Sequence, residues 1–119
     1  MKNLKLRIDP ELEQYLISET PVHSLFDIGG VRLRFAFPNK WQASVIKFWG
    51  SYGYEEDLWE LAVLDKDDDL RYDNPICEGW DVKGNLSDSE VNDMLHQIFE
   101  WEEDQKWPEY EEEDQDEDQ

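Results

Sequence analysis

The sequence predicts an α+β fold: an antiparallel sheet of four to five strands in a meander, a C-terminal helix packed on one face, and a short N-terminal helix. Three observations predict it. Short runs rich in aromatic and β-branched residues alternate with Gly, Pro, Asp and Asn between residues 22 and 72. Val31, Leu33, Phe35 and Phe37 keep the two-residue period of a strand. From Ser87 onward the apolar period becomes helical, behind a start signal.

In chain order, Leu4, Leu6 and Ile8 alternate with Lys5 and Arg7, which predicts a short edge strand over residues 2–8. Asp9-Pro10-Glu11 reads as a helix start, because Asp can cap free amides and Pro suits the first helical position. Leu12, Tyr15 and Leu16 give that helix one apolar stripe before Thr20-Pro21 ends it. At about nine residues it is marginal alone and must dock on the sheet. A strand over 22–28 and a tight hairpin turn at Gly29-Gly30 come next. In the strand over 31–37, Arg32 and Arg34 face away from the core. Pro38-Asn39-Lys40 turns the chain into a strand over 41–49, and Gly50-Ser-Tyr-Gly53 turns it into another over 58–64. Asp65-Lys-Asp-Asp-Asp69 precedes a last short strand over 70–72, and residues 77–85 read as irregular.

Ser87-Asp-Ser-Glu90 matches a capping box, in which the Ser hydroxyl accepts from a first-turn amide and Glu90 reaches back. Val91, Met94, Leu95, Ile98 and Trp101 form one apolar stripe of a helix projected over 87–107, and Pro108 limits its continuation. Glu102 falls within the stripe, so the packed part should end near it. One domain is expected over residues 1–108, with 109–119 as a disordered acidic tail: eight of its eleven residues are acids.

Six Trp, five Tyr and five Phe supply core material for a chain of 119 residues. Cys77 is the only cysteine, so neither an internal disulfide nor a Cys-based zinc site is possible. The N-terminus lacks the apolar core of a signal peptide, and no run approaches the about 18 apolar residues of a membrane span. A soluble, cytoplasmic protein is expected.

The charge is the most informative number. Residues 1–50 hold seven basic and five acidic residues, a net of +2, whereas 51–119 hold four basic and 26 acidic, a net of −22, which together make the chain's −20. Like charge disfavours nucleic acid and anionic membrane as direct partners and favours a basic protein surface; the simpler reading is that acidity only maintains solubility.

No catalytic constellation is present. An EF-hand loop starting at Asp65 would need Gly and Glu where Leu70 and Ile76 stand, so an Asp-rich hairpin turn is the better reading. His23 and His96 sit in no metal spacing, and His96, beside Asn92 and Glu100, reads as a solvated surface residue. There is no nucleophile elbow or phosphate loop, and Cys77 has no supporting motif for nucleophilic chemistry. No cofactor, metal or catalytic residue is expected.

What survives is an acidic surface. Glu90, Asp93, Glu100 and Asp104 fall within about 80° of one another on the projected helix, a ridge about 21 Å long opposite the apolar stripe. Glu103 and the tail acids Glu109, Glu111, Glu112, Glu113, Asp114, Asp116, Glu117 and Asp118 raise its charge density.

Several motifs carry a resemblance: Trp41-x-Ala-Ser-Val-Ile46, Gly50-Ser-Tyr-Gly53, the run Leu58-Trp-Glu-Leu-Ala-Val-Leu-Asp-Lys-Asp67, Leu70-x-Tyr-Asp-Asn-Pro-Ile76, and Gly84-Asn-Leu-Ser-Asp-Ser-Glu-Val91. Over about residues 40–100 the chain resembles a family of small, mostly uncharacterised bacteriophage proteins. It departs from that pattern at Asp68-Asp69, where a glycine is usual, in its acidic tail and in its first 38 or so residues. The resemblance implies a shared βββα core and a phage origin, and supplies no catalytic residues.

Charge and resemblance together predict a non-enzymatic phage inhibitor. It would occupy the basic surface of a host nucleic-acid-binding or defence protein (a restriction, recombination or CRISPR-type nuclease) by partial DNA mimicry. The alternative is a structural or adaptor module that binds protein through Trp49, Tyr52, Tyr54 and Trp59, around the 50–57 loop.

Overall fold

The computed structural model describes residues 3–23, 29–67, 69–70 and 82–101. Five strands, β1 (Leu16–His23), β2 (Gly29–Ala36), β3 (Gln42–Lys47), β4 (Trp59–Leu64) and β5 (Lys83–Leu86), form one antiparallel sheet in chain order. Helix α1 (Asp88–Phe99) follows and packs across β3, β4 and β5. The α+β meander is therefore the fold that the sequence predicts, spread over a longer stretch than 22–72.

One face of the sheet holds the core. Leu33 and Phe35 of β2, Ala43 and Val45 of β3, and Trp59, Leu61 and Val63 of β4 are buried there at every second position. Val91, Leu95 and Ile98 of α1 close over them, with Leu6 and Leu12 from the N-terminal segment. Each fully buried aliphatic side chain contributes about 1.5–3 kcal/mol. The capping box is present: the Glu90 amide donates to Ser87 Oγ (3.2 Å) and the Ser87 amide to Glu90 Oε1 (2.8 Å).

The opposite end of α1 is stopped by a residue far away in the chain. The Asn39 side-chain amide, in the β2–β3 turn, donates to the carbonyls of Ile98 (2.7 Å), Phe99 (3.3 Å) and Trp101. The Ile98 carbonyl also accepts the Trp101 amide (3.2 Å), so side chain and backbone together serve the carbonyls at this helix end. The helix therefore closes at Phe99 rather than running to 107.

The N-terminal expectations need correction. Residues 3–9 form no strand. Their alternation is real, since Leu6 is buried and Leu4 and Ile8 pack partly against the core. Side chains, however, take the place of a neighbouring strand. The Asn3 amide donates to Asp57 Oδ1 (2.8 Å), the Arg7 amide to Asp88 Oδ2 (2.9 Å) and the Asp9 amide to Asn92 Oδ1 (2.7 Å). Asn92 also donates to the carbonyls of Arg7 and Asp88 (2.7 and 2.8 Å).

The expected helix is a six-residue 3-10 helix, Pro10–Tyr15, and the Asp9 side chain does not cap it. Leu16 leaves in an extended conformation, and β1 absorbs both it and Pro21. An edge strand tolerates Pro because one side of it needs no donors. A bulge at Ile17 leaves that side chain exposed.

Gly29-Gly30 is not the turn. Both residues pair within the sheet, opposite His23 and Val22, and the β1–β2 connection lies outside the described residues. Glycine is needed at 30 for a different reason: a Cβ there would stand 2.3 Å from Phe48 Cβ and 2.6 Å from the Lys47 carbonyl. Of the strand expected over 70–72, only Leu70 is described, in an isolated bridge to Leu64. The fifth strand of the described sheet is β5, of which Lys83, Gly84 and Asn85 fall in the stretch read as irregular. Its Lys-Gly-Asn-Leu sequence has poor strand propensity, and Asn85 adopts a left-handed φ of 60° where the pairing with β4 shifts register.

Lys47 occupies a core-face position on β3 at 1% exposure. Its ammonium donates to Asp57 Oδ1 (2.9 Å) and to the carbonyls of Asp57 (3.0 Å) and Asn3 (2.6 Å), and lies 4.3 Å from the centre of the Trp59 ring. The Asp57 side chain is 40% exposed. Removing the anion strands a buried charge, whereas removing the cation leaves an anion that water can reach. Asp57→Asn should therefore cost about 3 kcal/mol and Lys47→Met only about 1–2 kcal/mol, read by urea unfolding. The reverse order would show that Lys47 is not held as a charge.

Candidate functional site

Two surfaces emerge from this scaffold. The first is the acidic ridge. Glu90, Asp93 and Glu100 are exposed on and just beyond α1. Glu90 is partly committed, because its Oε1 accepts the Ser87 amide. Glu103, Asp104 and the tail acids Glu109, Glu111, Glu112, Glu113, Asp114, Asp116, Glu117 and Asp118 lie outside the described residues, as do Cys77 and the tail as a whole.

His96 is not the solvated residue that its neighbours in sequence suggest. Its Nε2 lies 3.0 Å from Asp9 Oδ2 and 3.6 Å from Glu11 Oε2, tying the 3-10 helix to α1. These three side chains bring metal-ligating atom types within 4.8 Å of one another. Sequence spacing could not show it, since Asp9 and His96 are 87 residues apart. The Asp-rich segment after β4 is the turn it was expected to be. Asp65 Oδ1 accepts the amides of Asp67 (2.9 Å) and Asp69 (3.0 Å), and Leu64 bridges to Leu70.

The second surface is the β3–β4 connection, residues 48–58. Three left-handed residues shape it: Gly50 (φ 102°), Gly53 (φ 92°) and Asp57 (φ 64°). The Phe48 amide donates to Ser51 Oγ (3.1 Å) and the Ser51 amide to the Phe48 carbonyl (2.8 Å). The amides of Glu56 and Leu58 both donate to the Gly53 carbonyl, at 3.1 and 2.9 Å. The Tyr52 amide donates to Glu60 Oε1 (2.8 Å), and Tyr52 packs so closely on β5 that a Cβ on Gly84 would lie 2.3 Å from its own Cβ.

This bonding leaves aromatic surface outside. Trp49 is 46% and Tyr52 64% exposed. Together with Tyr54, Glu55 and Glu56 they line an open groove of about 320 Å³. Trp59, the fourth aromatic expected around this loop, is completely buried, and its Nε1 donates to Asp88 Oδ1 (2.8 Å). The run of aromatics was visible in the sequence. Strand alternation places Trp59 inside, and only the turn geometry leaves Trp49 and Tyr52 outside.

Gly53→Ala tests the loop's rigidity. The new Cβ would need a strained φ and would meet Asn85 Cα at 2.9 Å. It should cost about 1–3 kcal/mol and alter the near-ultraviolet dichroism of the loop aromatics. An unchanged stability would show that the loop is not locked on β5.

Among the described residues no helix is long and apolar enough to cross a membrane. Comparison of the chain with protein-family models, with curated proteins and with solved structures gives no match.

Proposed function

We propose that this protein is a non-enzymatic inhibitor, of phage origin and active in the host cytoplasm. It would occupy the basic surface of a host protein that handles nucleic acid, such as a restriction, recombination or CRISPR-type nuclease, and would bind neither nucleic acid nor membrane itself. The observation that carries the reading is the charge of −20, gathered into the residues from 51 onward. A surface of that sign displaces the counterions held by a Lys- and Arg-lined channel, and steers association at long range.

The spacing of the ridge limits the mimicry. Glu90, Asp93 and Glu100 span ten residues of rise, about 15 Å, or about one charge per 5 Å. Duplex DNA carries about one per 1.7 Å. The ridge is thus a partial mimic, and matching DNA more closely requires the acids beyond residue 101.

A second reading, an adaptor that binds through exposed aromatics, is favoured by the accessibility of Trp49 and Tyr52. Salt separates the two, since charge-driven capture weakens steeply with ionic strength and aromatic capture hardly changes.

The test is capture from host lysate by the full chain and by the variant Asp93→Lys/Glu100→Lys/Asp104→Lys, at low and physiological salt. The full chain should retain a nucleic-acid-binding protein that duplex DNA releases, and the variant should lose it by at least about tenfold while its melting temperature stays unchanged. Capture that survives the triple change rules out the ridge. Salt-resistant capture of a protein with no nucleic-acid role favours the adaptor.

A further inference from the structure

We propose that the groove of the 48–58 loop is a receptor for a cationic side chain, specifically an arginine from a basic segment of the partner. This deepens the reading above, because it rests on the partner being basic, but it uses none of the ridge residues. The juxtaposition that carries it is Trp49, Tyr52 and Tyr54 lining one groove with Glu55 and Glu56. Ring faces attract cations through their quadrupole, and carboxylates beside them add charge and hydrogen-bond acceptors.

Three further observations narrow the occupant. Two large aromatics stand about half exposed or more on one short loop, while Trp59, in the next strand, is completely buried. The groove, at about 320 Å³, lies near the lower end of the about 300–1,000 Å³ typical of small-ligand clefts. That size suits one long side chain. The loop is also fixed in advance by its own hydrogen bonds and left-handed turns, so little ordering entropy opposes binding.

Charge decides between occupants. An anion would be repelled by the exposed Glu56 carboxylate in the lining, and a purely apolar group would strip water from it without replacing that water. Between the two cationic side chains, arginine fits better. Its planar guanidinium is weakly hydrated, stacks on rings and forks onto a carboxylate, whereas a lysine ammonium does only part of this. The same fold already holds one cation against a ring, Lys47 over Trp59.

The experiment is an amide NMR titration of the full chain with the peptide acetyl-Gly-Arg-Gly-amide, and with its citrulline counterpart, which keeps the shape and loses the charge. The arginine peptide should shift the amides of residues 50–56 and the Trp49 indole, with about millimolar affinity. The citrulline peptide should bind at least about fivefold more weakly. Tyr52→Ala keeps the Cβ that meets Gly84, and Glu55→Gln/Glu56→Gln keeps the shape of the lining. Each should weaken binding by about fivefold or more, with the remaining spectrum unchanged. Asp93→Lys/Glu100→Lys should leave the titration as it is.

Shifts spread over every acidic surface, equal binding of citrulline, or indifference to both groove variants would overturn the proposal. If the groove fails these tests while ridge-dependent capture from lysate persists, only the groove reading falls. If the groove binds arginine while the ridge variant still captures its partner, the ridge reading falls and the groove stands.

Discussion

A buried lysine organises much of this molecule. Lys47 stands where strand alternation calls for an apolar side chain, and a charge in that position is tolerable only when its donors are satisfied. Asp57 and the Asn3 carbonyl satisfy them. The requirement is geometric. Asp57 must hold a left-handed conformation so that its carboxylate and its carbonyl both reach Lys47, and the same carboxylate accepts the Asn3 amide. The N-terminal segment, the 48–58 loop and the core face of β3 are thereby fixed to one another at a single point. Trp59 extends the connection: its ring lies against Lys47, and its indole nitrogen reaches Asp88, which also receives the Arg7 amide.

This network explains which parts of the fold were legible in the sequence. Where a segment's conformation follows from its own pattern, the reading holds: β2 from the alternation of Val31 to Phe37, β3 and β4 from their aromatic and β-branched runs, and the start of α1 from Ser87 and Glu90. Where the hydrogen-bond partners are distant, local pattern misleads. Residues 3–9 alternate like a strand, yet Asp57, Asp88 and Asn92 serve their amides. Asp9 and Pro10 do begin a helix, but a 3-10 one, and the Asp9 carboxylate turns to His96 and Arg7 instead of capping it. The end of α1 was illegible for the same reason, since the group that closes it, Asn39, lies in another turn. β5 failed differently, because Gly84 and Asn85 are there for close packing on Tyr52 and for a register shift.

Of the candidate surfaces, the exposure of Asp93 and Glu100 on one side of the helix was legible, and the groove only half so. A helical wheel places Asp93 and Glu100 together without any tertiary knowledge. The groove depends on the left-handed residues at 50, 53 and 57, which point Trp49 and Tyr52 outward while Trp59, in the next strand, goes inward. A run of aromatics does not itself say which rings are spent on the core.

The acids divide along the same line, and this refines what a charge of −20 means. Several of them have work inside the fold. Asp57 neutralises Lys47, Asp88 holds Trp59 and Arg7, Asp65 closes its turn, Glu60 receives the Tyr52 amide, Glu90 completes the capping box and Asp9 meets His96. Their charge is partly answered by donors, so they are weak surrogates for phosphate. Asp93, Glu100 and Glu56 are exposed and make no such bond among the described residues. Formal charge therefore overstates the potential that a basic partner meets over the folded core. Charges that fold the protein and charges that face outward are largely different residues, so the outward set can be reversed in sign with little loss of stability.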